Sequence, residues 1–552
     1  MVSKFTLPYG KTKGLTISLP DDINVVEIQP KNIKIADDPV SLLQEALEKP
    51  IGNVRPLEEI VKDKNAIAVV VDDATRTFPR DQIVVPFFDL LQEMGVDKDK
   101  VTIIIGVGTH ANFGAVDDAK IEEILGKKIP ASYKVEVHDS AADNLVDYGK
   151  TSRGTPIRIN KTYSEADCKI LITDVSFHYY AGFGGDRKSI VPAIAGDDTI
   201  NANHAMLMDA NATTGNLASN PVNLDMVEGA KKVGADFVIN VVAHGTDVID
   251  VKAGELGVAF EEAVNVVKNS FQIGIEKQAD LLIVSAGGTP KDINLYQATK
   301  AITQTIGAVK SGGQIIFLAE CTEGIGHPAF EEWIEDAATQ VAGETDHKAK
   351  VDKAYDYLAT KIKTGFVMGG HKAYFVIREQ RQANIAMLSS LDASTVEEKY
   401  LFEPIKHADK TMQKDLQAFV DGKIEELKPS TIYVIQAGGE LFVTHTSAMG
   451  EEKAMISAAK KRVKIGPPFI TKYEKSRIVG ARALQLSLGA PPLILPELIT
   501  PDVAEPLLIA DIEMKEKVLP IIIRRVLPSK EYADYPLDIF PGDASAITRD
   551  VQ

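Results

Sequence analysis

The chain has 552 residues, 45% of them hydrophobic and 25% charged, ordinary values for a water-soluble globular protein with length for three or four domains. A formal net charge of −17 argues against whole-chain binding to a polyanion, because phosphate backbones would repel it. Two cysteines, Cys168 and Cys321, exclude a disulfide framework and disfavour a thiolate metal cluster, so a metal would need histidine, carboxylate or ligands from outside the protein.

Residues 1–9 carry no apolar signal core, and no apolar run is long enough to cross a bilayer. Cytoplasmic residence without a membrane partner is the expectation. Short apolar runs then recur at 66–71, 101–106, 170–175, 237–242, 281–285 and 314–318. Being almost continuously apolar, they read as parallel strands covered on both faces. Helical patterns such as 82–94 and 296–309 lie between them. The alternation predicts an α/β fold: two α/β domains with open, mainly parallel sheets flanking a cleft. The expected division is an N-terminal domain at 1–270, a second at 271–443, a linker at 444–465 and a small α+β module at 466–552.

In open α/β sheets ligands bind beyond the carboxyl ends of the strands. Those positions hold Asp72-Asp73 with Arg76, then Gly108-Thr109-His110, then the stretch from His178 through Gly184, Gly185 and Asp186 to Lys188 and Ser189. Asn203-His204 follows, and after 281–285 come Gly288 to Lys300, with Tyr296 and Gln297. Each has a plainer reading. Asp72-Asp73 caps helices in many proteins, and 296–300 fits a helix turn with one wet face. The 182–189 stretch resembles a phosphate-binding loop, but Arg187 stands where the strict pattern needs glycine before lysine. A nucleotide-dependent kinase is therefore the weakest of the functional readings. Gathering of histidines, lysines and arginine at one sheet edge favours a ligand site.

Taken together, Asp72-Asp73-Ala-Thr-Arg76, Gly108-Thr-His110, His178 to Ile190, Asn203-His204, Asn220-Pro221-Val222, Gly288 to Lys300 and Ala319 to Gly324 resemble the lactate racemase family over about residues 10–440. The resemblance implies a racemase or epimerase of a 2-hydroxyacid, lactate or a larger relative, working by hydride transfer to a nickel-pincer nucleotide (a pyridinium-3-thioamide-5-thiocarboxylate mononucleotide). It implies that Lys188 tethers this cofactor, with Gly184, Gly185 and Asp73 around it, that His204 is the protein ligand to nickel, and that His110 and His178 are paired acid/base residues. Arg76, Tyr296, Gln297 and Lys300 would hold the substrate. Asp186 departs from the family pattern, which has glycine there, and places a carboxylate in the cofactor loop. Separate cofactor-biosynthesis proteins are implied partners.

The chemistry suits these residue types. A carboxylate stabilises an adjacent carbanion poorly, so removing hydrogen as hydride avoids a difficult proton abstraction. Imidazole, with an unperturbed pKa of about 6.5, suits exchange of the hydroxyl proton, and arginine captures a carboxylate bidentately.

The last eighty or so residues lie outside this pattern. The stretch 471–491 reads as a helix with a Thr471–Glu474 capping box and a Gly489/Pro491 stop, and 518–523 as a strand with a basic exit at Arg524-Arg525. This segment is similar to the archaeal RNA polymerase subunit K, which implies contact with a polymerase through 466–552. A generic helical accessory domain is the alternative. For the whole chain, the competing expectation is a scaffold or polymerase-subunit-like binding protein whose front part is inactive.

Overall fold

The computed structural model describes residues 2–31, 33–73, 78–109, 117–445, 463–465, 470–494, 505–515, 518–527 and 530–537. Backbone contacts divide the chain into two units, Met1–Thr444 and His445–Gln552.

The first unit is built on two six-stranded sheets. One has the spatial order Asp247–Gly254, Phe237–His244, Cys168–Asp174, Ile67–Asp72, Val101–Gly106, Lys134–Val137. Its first pair is antiparallel and the rest are parallel. The expected runs at 66–71, 101–106, 170–175 and 237–242 form its middle. Their lack of polar alternation follows from burial on both sides. Ala68 and Val70 enter one core with Leu171 and Val238, while Ile67, Val69 and Val71 enter another with Phe87 and Phe88 of the helix Arg80–Glu93. Each such valine stabilises the fold by roughly 1.5–3 kcal/mol through burial.

The other sheet is parallel throughout, in the order Glu403–Pro404, Asn384–Leu388, Val309–Leu318, Ala279–Ser285, Thr431–Ile435, Asn24–Glu27. Leu282, Val284, Ile315 and Phe317 share a core with Val70 and Leu171 of the first sheet, and Leu281 and Ile283 pack outward with Leu416 and Val420 of the helix Met412–Leu427. An amino-terminal strand, Asn24–Glu27, therefore completes the carboxy-proximal sheet. Among the described residues no helix is long and apolar enough to cross a membrane.

The second unit pairs the helix Lys472–Ser487 with the helix Pro506–Lys515 and an antiparallel hairpin, Ile522–Val526 with Tyr532–Pro536. The Thr471–Glu474 capping box forms in full. Ile478, Val479, Ala510, Met514, Ile523 and Tyr535 make its core. Glu513, fully buried, accepts from Arg482 through both carboxylate oxygens. The expected strand at 518–523 is displaced. It spans Ile522–Val526, so Arg524 and Arg525 stand inside it. Period-two alternation explains why a basic pair is tolerated there: Arg524 turns out to Asp534, and Arg525 turns in to Glu474. Most of the expected 444–465 linker lies outside the described residues.

Candidate active site

The carboxyl end of Cys168–Asp174 opens into a two-residue hairpin, Phe177–His178 against Gly182–Phe183, followed by a short 3-10 turn at Asp186–Ser189. Glycine is required at two points. A Cβ on Gly182 (φ +79°) would sit 2.2 Å from the Asn216 carbonyl oxygen, and one on Gly185 (φ +90°) 2.6 Å from Val175 Cγ2. The loop is held from inside by Arg187. Its guanidinium donates to the carbonyls of Ala181, Phe183, Gly184 and Gly185 and, through Nε, to Asn223 Oδ1. It lies 4.5 Å from the Phe260 ring centroid. Burial lowers its pKa to about 10, with Asp186 opposing the shift, so it remains a cation at neutral pH. Arg187, which spoils the phosphate-loop pattern in the sequence, is a structural staple.

Asp186 adopts φ +53° and is buried. Burial raises its carboxyl pKa, opposed by the Gly257 N–H that donates to Oδ1 and by Arg187. Asp72 likewise has a structural role, accepting from the Asp174 N–H and Thr173 Oγ1 across the strand pair. Asp73 is buried, and its backbone carbonyl accepts from Arg80.

Three of the expected residues converge on one ring. His178 lies 4.5 Å from the Tyr180 centroid and edge-on to it, His204 lies 5.2 Å away, and the Lys188 ammonium is 5.9 Å away. Lys188 and His204 are buried. His204 ends the helix Asp197–His204, whose preceding residue Asn203 donates to Asp225 Oδ2 and the Val222 carbonyl. His178 Nδ1 accepts from the Ala181 N–H at 3.2 Å. A neutral His178 therefore carries its proton on Nε2.

The second sheet contributes the helix Leu295–Thr305, N-capped by Asn294. Tyr296, Gln297 and Lys300 share its half-buried face, while Leu295, Ala298 and Thr299 turn inward, as helical spacing requires. Tyr296 stacks on His327, with centroids 4.9 Å apart. Contacts from the helix His371–Gln380 join the two halves. His371 Nδ1 accepts from the Gly369 N–H, leaving Nε2–H to donate to Tyr179 Oη at 2.8 Å. Tyr179 stacks on His178 at 5.0 Å. The Lys372 ammonium lies 4.6 Å from the Tyr179 centroid and 5.0 Å from that of Tyr296. Arg76 and His110 lie outside the described residues.

The lactate racemase N-terminal domain model matches residues 9–215, and the C-terminal domain model matches residues 275–422. The lactate racemase of Thermoanaerobacterium thermosaccharolyticum is 33% identical over 345 residues, covering 61% of this chain and 79% of that protein. The chain belongs to the lactate racemase family. The solved structure of the lactate racemase apoprotein from the same organism superposes with a TM-score of 0.68 at 26% identity, covering 80% of this chain and all of that one. A separate likeness covers a short segment: DNA-directed RNA polymerase subunit Rpo6 of Aeropyrum pernix is 53% identical over 66 residues, 12% of this chain and 72% of that protein.

Several residues of this racemase-family site escape the search of strand ends. Tyr179 and Tyr180 sit among the quoted motifs but have no obvious chemical role in a sequence. His371 and Lys372 follow no strand; they begin a helix after Gly369-Gly370. That Gly-Gly-His-Lys cluster was the available signal.

The donor set is compatible with a metal that brings its own ligands. Among the described residues no group of three or more His, Cys, Asp or Glu side chains could hold a metal ion. Beside Lys188 and His204, two buried polar atoms, Ser189 Oγ and Asn203 Oδ1, have no hydrogen-bond partner among the described residues. Such atoms suit a polar group seated there.

Proposed function

We propose that this chain interconverts the stereoisomers of a 2-hydroxyacid, lactate or a larger relative, with a nickel-pincer nucleotide as cofactor. Family membership supports a racemase. The observation that carries the finer reading is the convergence of His178, Lys188 and His204 on Tyr180. The solved relative is described as an apoprotein, a term for a protein without its cofactor.

In this reading the Lys188 amine holds the nucleotide covalently, next to Gly184 and Gly185, and the His204 imidazole holds nickel, a metal that imidazole suits. When bound, the cofactor would supply a hydride acceptor, so that the substrate C–H bond breaks without a carbanion. The chain's own residues do the rest. Tyr296, Gln297 and Lys300, with Arg76, receive the substrate carboxylate and hydroxyl. His178 exchanges the hydroxyl proton as the imidazole/imidazolium pair, and stacking on Tyr179 fixes the plane of its ring. His110 serves the other enantiomer, and Asp73 supports the cofactor side of the site. Cofactor-biosynthesis proteins are required partners.

The test is incubation of cofactor-loaded protein with enantiopure 2-hydroxyacids, followed by chiral chromatography and metal analysis. Equilibration of at least one pair, lost in His178→Ala with nickel retained, is expected. Absence of nickel, or full activity in that variant, refutes the reading.

A second reading is favoured by one observation, the likeness of a 66-residue segment of this chain to Rpo6. In it, 466–552 acts as a non-catalytic contact with an RNA polymerase. Co-purification of the full chain with polymerase, abolished by deleting the segment, tests it.

A further inference from the structure

Lys372 is almost completely buried, at 3% exposure, and no ion pair to it is found among the described residues. Its Nζ donates to Thr299 Oγ1 at 3.3 Å and lies 4.6 Å from the Tyr179 ring centroid and 5.0 Å from that of Tyr296. Among the described residues, the titratable groups around it are those two phenols, Lys300 on the adjacent helix, His371 next along its own helix, and His327 behind Tyr296, none of them a carboxylate. Cation–π contacts and one hydroxyl compensate a buried ammonium only in part. Burial, and then repulsion by Lys300, push its pKa well below the ordinary lysine range.

A buried cation beside a second lysine is unfavourable until an anion arrives. Resting on the racemase reading above, we propose that Lys372 is a further cationic determinant of the substrate site, beyond Arg76 and Lys300, taking up a proton as the 2-hydroxyacid carboxylate binds beside Lys300. The sign follows from linkage. In the free protein the neutral amine is favoured by burial and by Lys300. A bound carboxylate favours the ammonium. Binding therefore takes up protons at any pH between the depressed free value and the higher bound value. The arrangement selects against neutral ligands: a substrate lacking the carboxylate leaves the lysine pair uncompensated.

The experiment is calorimetric titration of the cofactor-loaded full chain with oxamate, an unreactive carboxylate analogue, in buffers of different ionisation enthalpy at a series of pH values below the ordinary lysine pKa of about 10.4. Wild type is expected to take up a measurable fraction of one proton per oxamate. Lys372→Met is expected to take up none, to bind oxamate about tenfold more weakly, and to raise KM similarly while kcat changes less than about threefold, an uneven split of the kind that marks lost binding. Thr299→Val covers the case in which Lys372→Met does not fold. Loss of the hydroxyl acceptor should move the pH profile of proton uptake to lower pH. Oxamate binding without proton uptake in wild type, or uptake unchanged by both substitutions, overturns the proposal and leaves the racemase reading intact. Failure to bind oxamate, together with no racemisation of any hydroxyacid, overturns both.

Discussion

Arg187→Met isolates the staple inside the loop at 182–189. The substitution keeps an unbranched side chain against Phe260 and removes all five hydrogen bonds made by the guanidinium. Two of the abandoned carbonyls, those of Ala181 and Gly185, keep backbone donors from Phe183 and Lys188. The carbonyls of Phe183 and Gly184 and the Asn223 oxygen lose a charge-assisted donor, and a buried acceptor left short costs about 1–3 kcal/mol. The substitution also removes the cation that opposes the raised pKa of Asp186. A loss of about 2–4 kcal/mol is expected, from several buried acceptors left short at about 1–3 kcal/mol each and partly relaxed. Urea unfolding followed by far-ultraviolet circular dichroism measures it. The only tryptophan, Trp333, lies in the helix Pro328–Gln340, so its fluorescence reports the half of the unit away from the substitution. Hydrogen exchange of the amides at 182–189 should accelerate. A stability change below about 1 kcal/mol with unchanged exchange would show that the loop does not depend on the guanidinium.

Lys188→Ala should eliminate any covalent nucleotide adduct in intact-mass spectra, whereas an unchanged adduct would remove the tether assignment. Deleting residues 463–552 should leave racemisation and the melting of the first unit unaltered, because the solved lactate racemase apoprotein is matched in full by 80% of this chain. Racemisation assays and calorimetry on the truncated protein check this. Glu513→Leu should destabilise the second unit by about 3 kcal/mol by stranding the buried Arg482, visible as a lowered transition in a thermal scan while the transition of the first unit stays in place.

Much of the fold is legible because burial on both faces leaves a plain mark. The runs at 67–72 and 101–106 are apolar almost without interruption, and 67–72 and 168–174 each end in an aspartate. What escaped depends on partners distant in sequence. The strand Asn24–Glu27 has alternating, half-exposed residues and pairs with Thr431–Ile435, at the far end of the unit in sequence. Tyr179 and His371 meet across 192 positions. Arg187 reads as a defect in a nucleotide motif until its five acceptors are seen. The Arg524–Arg525 pair reads in the sequence as the basic exit of a strand, although alternation lets one arginine turn inward to Glu474.

The pairing of Asn24–Glu27 with Thr431–Ile435 bears on how this protein is made. Asn24 and Thr431 are 407 positions apart. At about 5–20 residues per second, a ribosome needs roughly 20–80 s to supply the second strand after the first. Throughout that interval the early segment has no ladder to join, so this sheet edge is finished after nearly all of the first unit has been translated. Contacts so remote in sequence form slowly, and a nascent chain truncated before 435 exposes the open edge of Ala279–Ser285 to other chains.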